Sequence, residues 1–307
     1  MNSLTLSIMP TFHCDYNCPY CYLGDKRKDK SLLDLYELEK LLDEIRSSYR
    51  ISVVNLYGGE LTLLDYNYLN DLLCAVCTNR LSLTTNLQDE NIINFCLARN
   101  VKINVSLNEE RDHYKETLSK VRKYKNTKIM DLSVVVLPSL VKKKPSELYK
   151  FYNDIGLDVL FIQYHKSINN QFRYDISLED YSNFLYDFIL EYKKHDNPSF
   201  NIENLMIYND ELYRPNIDSY LFINNNCKLC TVAFKDGVER YIEFDSLSDW
   251  QKYCRTENDR YKALCSSCNL FGRCKAEHLE TFNNTGECSG LKCLLNKLTY
   301  KNMCSLT

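Results

Sequence analysis

Apolar positions along the first half of the chain follow two alternating patterns. Short, near-continuous apolar runs lie at residues 3–10, 51–57, 81–85, 101–107, 129–137 and 157–163. Runs of this length, rich in Val, Ile and Leu, read as strands, and their lack of polar alternation reads as burial on both faces of a parallel sheet. Between them the apolar residues recur every three or four positions, as on one face of a helix. Leu32, Leu35, Leu38, Leu41, Leu42 and Ile45 predict a helix over 31–47, and Leu69, Leu72, Leu73 and Val76 predict one over 65–78. Further helices are predicted over 89–99, 112–125, 145–155 and 178–194, with Pro145 in a first turn, where its missing N–H costs nothing. Strands alternating with helices build βαβ units, so the expected fold class is α/β, a parallel sheet curled into a partial barrel over residues 1–195. Residues 196–226 are polar, hold two prolines and read as a connector. Residues 227–307 read as a small cysteine-rich domain.

Composition narrows the classes. Lys and Arg number 38 against 41 Asp and Glu, a net charge of -3, so no basic footprint for nucleic acid is present. No apolar run reaches the 18 or so residues that a membrane span needs. The N-terminus enters a strand pattern with no basic n-region, so no secretory signal is expected. Fifteen cysteines in such a chain point to metal or cluster binding rather than disulfides, and to a reducing, cytoplasmic compartment. Cys74, Cys77 and Cys96 lie within apolar helical patterns and read as core thiols. His165, just past the sixth strand, reads as a surface histidine that could touch substrate.

The chemistry concentrates after the first strand. Cys14, Cys18 and Cys21 follow it at C-x3-C-x2-C, with Tyr20 one place before the third cysteine. Three thiolates on one loop can hold three irons of a [4Fe–4S] cubane, leaving the fourth iron open. Zinc is the alternative, although zinc sites usually use paired C-x2-C elements and four ligands. The second strand runs into Gly58-Gly59-Glu60, where two glycines allow a sharp turn and close approach to a ligand. The third strand ends at Thr84-Thr85-Asn86 and the fourth at Ser106-Leu107-Asn108. Toward the C-terminus come Cys227, Cys230, Gly237, Cys254, Cys265, Cys268, Cys274, His278, Cys288 and Cys293, with a C-x2-C-x5-C core.

This combination resembles the radical S-adenosylmethionine (radical SAM) superfamily. The resemblance implies a partial (β/α)6 TIM-like barrel, with a [4Fe–4S] cluster on Cys14, Cys18 and Cys21 whose open iron binds SAM. It implies cofactor contacts from Tyr20, Gly58, Gly59, Glu60, Asn86 and Ser106, although Leu61 stands where Pro usually follows the Gly-Gly-Glu motif. The later cysteines resemble a SPASM domain, which carries one or two auxiliary [4Fe–4S] clusters. Here Ile242 and His278 replace two expected cysteines, so the outer set, Cys265, Cys268 and Cys274 with Cys288 or Cys293, is intact. The inner set would draw on Cys227, Cys230, Cys254 or His278; a zinc-stapled domain is the alternative. The resemblance further implies hydrogen abstraction from a peptide or protein by a 5′-deoxyadenosyl radical, with an external one-electron donor of flavodoxin or ferredoxin type. A small-molecule substrate and an iron–sulfur or zinc protein without SAM chemistry remain the other readings. With a strand pattern beginning near residue 3, no leader-binding domain is expected ahead of it. Peptide recognition would then use the barrel mouth, the connector or a separate protein.

Overall fold

The structure is a computed structural model and describes residues 2–164, 166–167, 174–205, 217–235 and 238–267. Six parallel strands follow in chain order: β1 (Asn2–Ile8), β2 (Tyr49–Leu56), β3 (Leu81–Thr85), β4 (Lys102–Ser106), β5 (Met130–Val136) and β6 (Val159–Gln163). Helices α1 (Leu35–Ser48), α2 (Tyr66–Val76), α3 (Asn91–Arg99), α4 (Tyr114–Tyr124), α5 (Pro138–Val141) and α6 (Pro145–Ile155) connect them, and α7 (Leu178–Tyr192) closes the series. The fold is the expected α/β partial barrel.

Capping sets the helix starts. The Asp34 carboxylate accepts from the N–H groups of Tyr36 and Glu37 at 2.9 and 3.2 Å, satisfying two donors of the first turn. Helix α1 therefore begins at Leu35, four residues later than its apolar period suggested, and residues 31–33 do other work. Leu32 bridges to Thr11, the Leu33 N–H donates to the Pro10 carbonyl at 2.8 Å, and Thr11 donates to the Ser31 carbonyl at 3.1 Å. The segment ahead of α1 thus pins the start of the cysteine loop.

Register aligns the strand ends. Ile8 pairs with Leu56, Leu56 with Leu83, Thr85 with Val105, Ser106 with Ser133, and Val136 with Gln163. The segments that follow β1 to β4 consequently emerge at one rim, the end where parallel α/β barrels place their chemistry. Beneath them Leu4, Leu6, Ile8, Val54, Leu56, Leu83, Ile103, Val105 and Phe161 are buried in one core. Burial of the apolar strand runs is worth roughly 25 cal/mol per Å² and is the main force holding the sheet.

The connector is more structured than its composition suggested. It contributes β8 (Tyr220–Ile223), which lies parallel to β1 on the side away from β2. After a turn come β9 (Leu229–Lys235) and β10 (Val238–Phe244), an antiparallel hairpin, and then α8 (Leu247–Cys265). The hairpin pairs at one end with β8, Cys230 opposite Phe222, and at the other with β7 (Lys166–Ser167), Val238 opposite Lys166. The sheet order is β6-β5-β4-β3-β2-β1-β8-β9-β10-β7, so its two ends are strands that follow one another in the chain. Trp250 of α8 is fully buried, edge-on to Tyr49 at 5.7 Å. No helix among the described residues is long and apolar enough to cross a membrane.

Candidate functional site

The cysteine loop leaves β1 at the rim. Cys14, Cys18 and Cys21 are half-buried and none forms a disulfide. Backbone bonds shape the loop: the Cys14 N–H donates to the Arg27 carbonyl and the Cys21 N–H to the Cys18 carbonyl, both at 3.0 Å. Burial pushes the Cys14 thiol up to about 12, with Glu60, Cys21 and Cys18 adding negative charge nearby. Burial also raises Cys18, against which the Arg111 guanidinium acts. Thiols that ionise reluctantly alone become ligands when a cation compensates the thiolate. Among the described residues no three His, Cys, Asp or Glu side chains converge as ligands of a single ion do. Three soft thiols on one loop are a donor set that a [4Fe–4S] cubane accepts, one thiolate to each of three irons.

Gly58-Gly59-Glu60 docks beneath that loop. A Cβ on Gly59 would stand 2.1 Å from the His13 carbonyl oxygen and 2.6 Å from the Phe12 carbonyl carbon. Gly58 has φ +127°, and a Cβ there would meet the Thr11 carbonyl oxygen at 2.7 Å. The Gly59 and Glu60 N–H groups donate to the carbonyls of Thr11 and His13, each at 2.8 Å. The two glycines admit the backbone of the cysteine loop at close range. The Glu60 side chain turns inward, 2% exposed. Its carboxylate accepts from the Thr62 N–H and hydroxyl at 3.1 and 2.8 Å, from the Thr85 hydroxyl, and from the Asn86 N–H at 2.8 Å. The buried carboxylate therefore ties the ends of β2 and β3 together. Asn86 is buried as well and its side chain accepts from the Gln88 N–H at 3.1 Å.

The segment after β4 grips the loop from the other side. Asn108 bonds both backbone groups of Val135, donating to its carbonyl at 2.6 Å and accepting from its N–H at 3.1 Å, which fixes the segment to β5. Arg111 then donates to the Ser106 hydroxyl at 2.6 Å and to the Tyr20 hydroxyl at 3.3 Å. The Asp112 carboxylate accepts the Asn17 N–H at 2.6 Å, and His113 stacks on Tyr16 with ring centroids 5.0 Å apart. Ser106 and Tyr20, expected on the site, are brought together through Arg111. Arg111 and Asp112 were missed: the apolar period over 112–125 makes Asp112 only the start of a helix, and a single Arg ahead of it carries no spacing that singles it out. Their place at the C-terminal end of a barrel strand was the available signal.

The later cysteines divide. Cys227 lies in the β8–β9 turn with φ +54°, where Asn224 accepts from the Asn226 and Lys228 N–H groups, both at 3.0 Å. Its thiol donates to the Asp34 carbonyl at 3.4 Å, whereas that of Cys230, on β9, donates to the Lys228 carbonyl at 3.3 Å. Cys254 is buried in the main core beside Trp250, and burial pushes its thiol up to about 12. Cys265 ends α8, half-buried. Among the described residues these thiols do not gather as a metal site. Gly237, Cys268, Cys274, His278, Cys288 and Cys293, and also His165, lie outside the described residues. Cys96 is buried as expected, but Cys74 and Cys77 are exposed: the period places Cys74 on the flank of α2, away from Leu69, Leu72 and Val76, and Cys77 lies just past the helix end with φ +38°.

Two aromatic contacts join the hairpin to the mouth. The Tyr241 and Tyr57 hydroxyls lie 3.3 Å apart, and the Tyr241 and Tyr22 rings 6.2 Å apart.

Residues 8–144 match the family model of the radical SAM superfamily. No curated protein matches the chain. Among solved structures, the chain is similar to Streptococcus suis SuiB bound to S-adenosylmethionine, with TM-score 0.65 and 18% identity over 90% of this chain and 72% of that one. It is also similar to polyhistidine-tagged anSMEcpe with bound AdoMet, with TM-score 0.67 and 16% identity over 96% of this chain and 95% of that one. Native anSMEcpe with bound AdoMet and Cp18Cys peptide gives TM-score 0.65 and 16% identity over 89% and 88%. The stretch that carries the cysteine loop, the glycine turn and the Arg111 segment thus matches the radical SAM superfamily, on the fold that SuiB and anSMEcpe share.

Proposed function

We propose that the chain is a radical SAM enzyme that modifies a peptide or protein. The observation that carries this is the half-buried cysteine triplet at the barrel rim, seated on Gly58-Gly59-Glu60. Cys14, Cys18 and Cys21 hold the [4Fe–4S] cluster, and Cys265 with Cys268, Cys274 and Cys288 or Cys293 holds an auxiliary one. When bound, the cluster and SAM supply one-electron cleavage of SAM and a 5′-deoxyadenosyl radical. The chain's own residues seat the loop, bury the site and place the substrate carbon at the rim. With the Glu60 carboxylate committed to Thr62, Thr85 and Asn86, recognition of the SAM amino group falls to the motif's backbone. A peptide substrate is favoured by solved neighbours: SuiB is also known bound to precursor peptide SuiA, and anSMEcpe with the Cp18Cys peptide. An external flavodoxin- or ferredoxin-type donor supplies the electron in a cytoplasmic setting.

Anaerobic reconstitution followed by iron counting and incubation with SAM and dithionite tests this reading. About eight or twelve irons per chain, for one or two auxiliary clusters at about four irons each, and 5′-deoxyadenosine production that is lost in Cys18→Ala are expected. Near-zero iron with stoichiometric zinc would overturn it. Deuterium transfer into 5′-deoxyadenosine from labelled peptides, and none from small molecules, is the expected sign of a peptide substrate.

A further inference from the structure

Cys18 is bracketed. One residue before it, the Asn17 N–H is held by the Asp112 carboxylate at 2.6 Å; two residues after it, the Tyr20 hydroxyl is held by Arg111 at 3.3 Å. Tyr20 is 6% exposed, and Cys18 packs against the small cluster it forms with Leu137 and Tyr164. Arg111 is itself anchored on the Ser106 hydroxyl at 2.6 Å, at the end of β4. Both of its hydrogen-bond partners are neutral hydroxyls. Among the described residues it forms no ion pair, unlike Lys143 or Lys102, which meet Glu109 and Asp131. The buried Glu60 carboxylate acts on it through space but does not pair with it, and a half-buried guanidinium without a direct anionic partner is costly unless the site it faces gains further negative charge. Three cysteine thiolates gathered on a cluster supply that charge.

We propose that Arg111 is the charge-compensating and positioning residue of the cysteine-loop cluster, with its guanidinium offsetting the cluster's negative charge through Tyr20 and Cys18 while fixing the loop to β4. This rests on the cluster reading above. A fixed positive charge beside a cluster stabilises its reduced, more negative form and so raises its reduction potential. Arg111 is also not interchangeable with a neutral hydrogen-bonding residue, because only a cation supplies this term.

The test compares Arg111→Gln, Arg111→Lys and Tyr20→Phe in the full-length reconstituted protein. The midpoint potential is read by EPR-monitored redox titration of the cluster whose signal responds to added SAM, alongside iron content. The expected result is a more negative potential in Arg111→Gln, recovery toward the wild-type value in Arg111→Lys, and a smaller shift in Tyr20→Phe. If Arg111→Gln loses iron at this site, restoration of iron by Arg111→Lys supports the charge role, and failure to restore it overturns the proposal. Equal potentials in wild type and Arg111→Gln would also overturn it. So would an unchanged potential with a lost response to SAM, which would assign Arg111 to the SAM carboxylate instead. A wild-type protein with iron but no SAM-responsive signal would sink the parent reading, and this one with it.

Discussion

Gly59 lies so close to His13 that a side chain at this position would sit 2.1 Å from the His13 carbonyl oxygen. The atoms in the way are backbone, which has little room to give, so the Gly-Gly-Glu turn and the cysteine loop form one joined unit.

Gly59→Ala is therefore expected to displace the cysteine loop. Overpacking of this kind costs about 1–3 kcal/mol, and here the cost falls at the cluster site. The expected outcome is a lowered Tm together with a loss of reconstituted iron of about four per chain, the content of one cluster. Retention of full iron with only a lowered Tm would show that the loop adapts.

Glu60→Gln keeps the shape but not the chemistry. The carboxylate accepts four donors, and an amide turns one acceptor into a donor that faces another donor. A loss of about 1–3 kcal/mol in the metal-free protein is expected, measured by urea unfolding, because a buried polar mismatch carries the full desolvation cost. Loss of activity with unchanged stability would instead give the carboxylate a direct part in ligand binding.

Thiol labelling of the metal-free protein should follow exposure. Cys74 and Cys77 are exposed, whereas Cys96 and Cys254 are buried with thiols pushed up to about 12 by that burial. At pH 8, N-ethylmaleimide is expected to modify the first pair within minutes and the second pair only on unfolding, as read by peptide mass spectrometry. Labelling of Cys254 in the folded protein would contradict its place in the core.

Glu203 gives a pH signature. Burial, then Asp131 and Asp158, push its carboxyl up to about 7, with Lys102 opposing. A carboxyl with a raised folded pKa favours folding most when protonated. Its contribution is full below the ordinary carboxylate range and is lost as pH rises through about 7. Glu203→Gln should consequently raise Tm at pH 8 and change it little at pH 5. Equal effects at both pH values would remove Glu203 from this role.

The barrel was largely legible because its strands are apolar throughout and its helices keep one apolar face. Leu81–Thr85 and Pro145–Ile155 fall where the patterns placed them. The start of α1 moved because Asp34 caps better than a period can indicate, and Cys74 misled because flank positions share the period of core ones. Tyr220–Ile223 was unreadable for another reason: four residues carry no period, and only pairing with β1 makes them a strand. The cysteine loop and the glycine turn were visible as motifs, but not their contact, and Arg111 was visible only as charge. Its role depends on a fold that brings it 3.3 Å from a tyrosine 91 positions earlier.

The pairing of β1 with β8 also orders events in time. Thr5 meets Tyr220, so the outer edge of the first strand waits for a partner made more than two hundred residues later. During synthesis that edge presents unpaired backbone groups, the usual template for aggregation, and its closure is a non-local and therefore slow step. A chain cut before β8 would expose that edge permanently, whereas one cut after β10 would retain the pairing of both ends of the sheet.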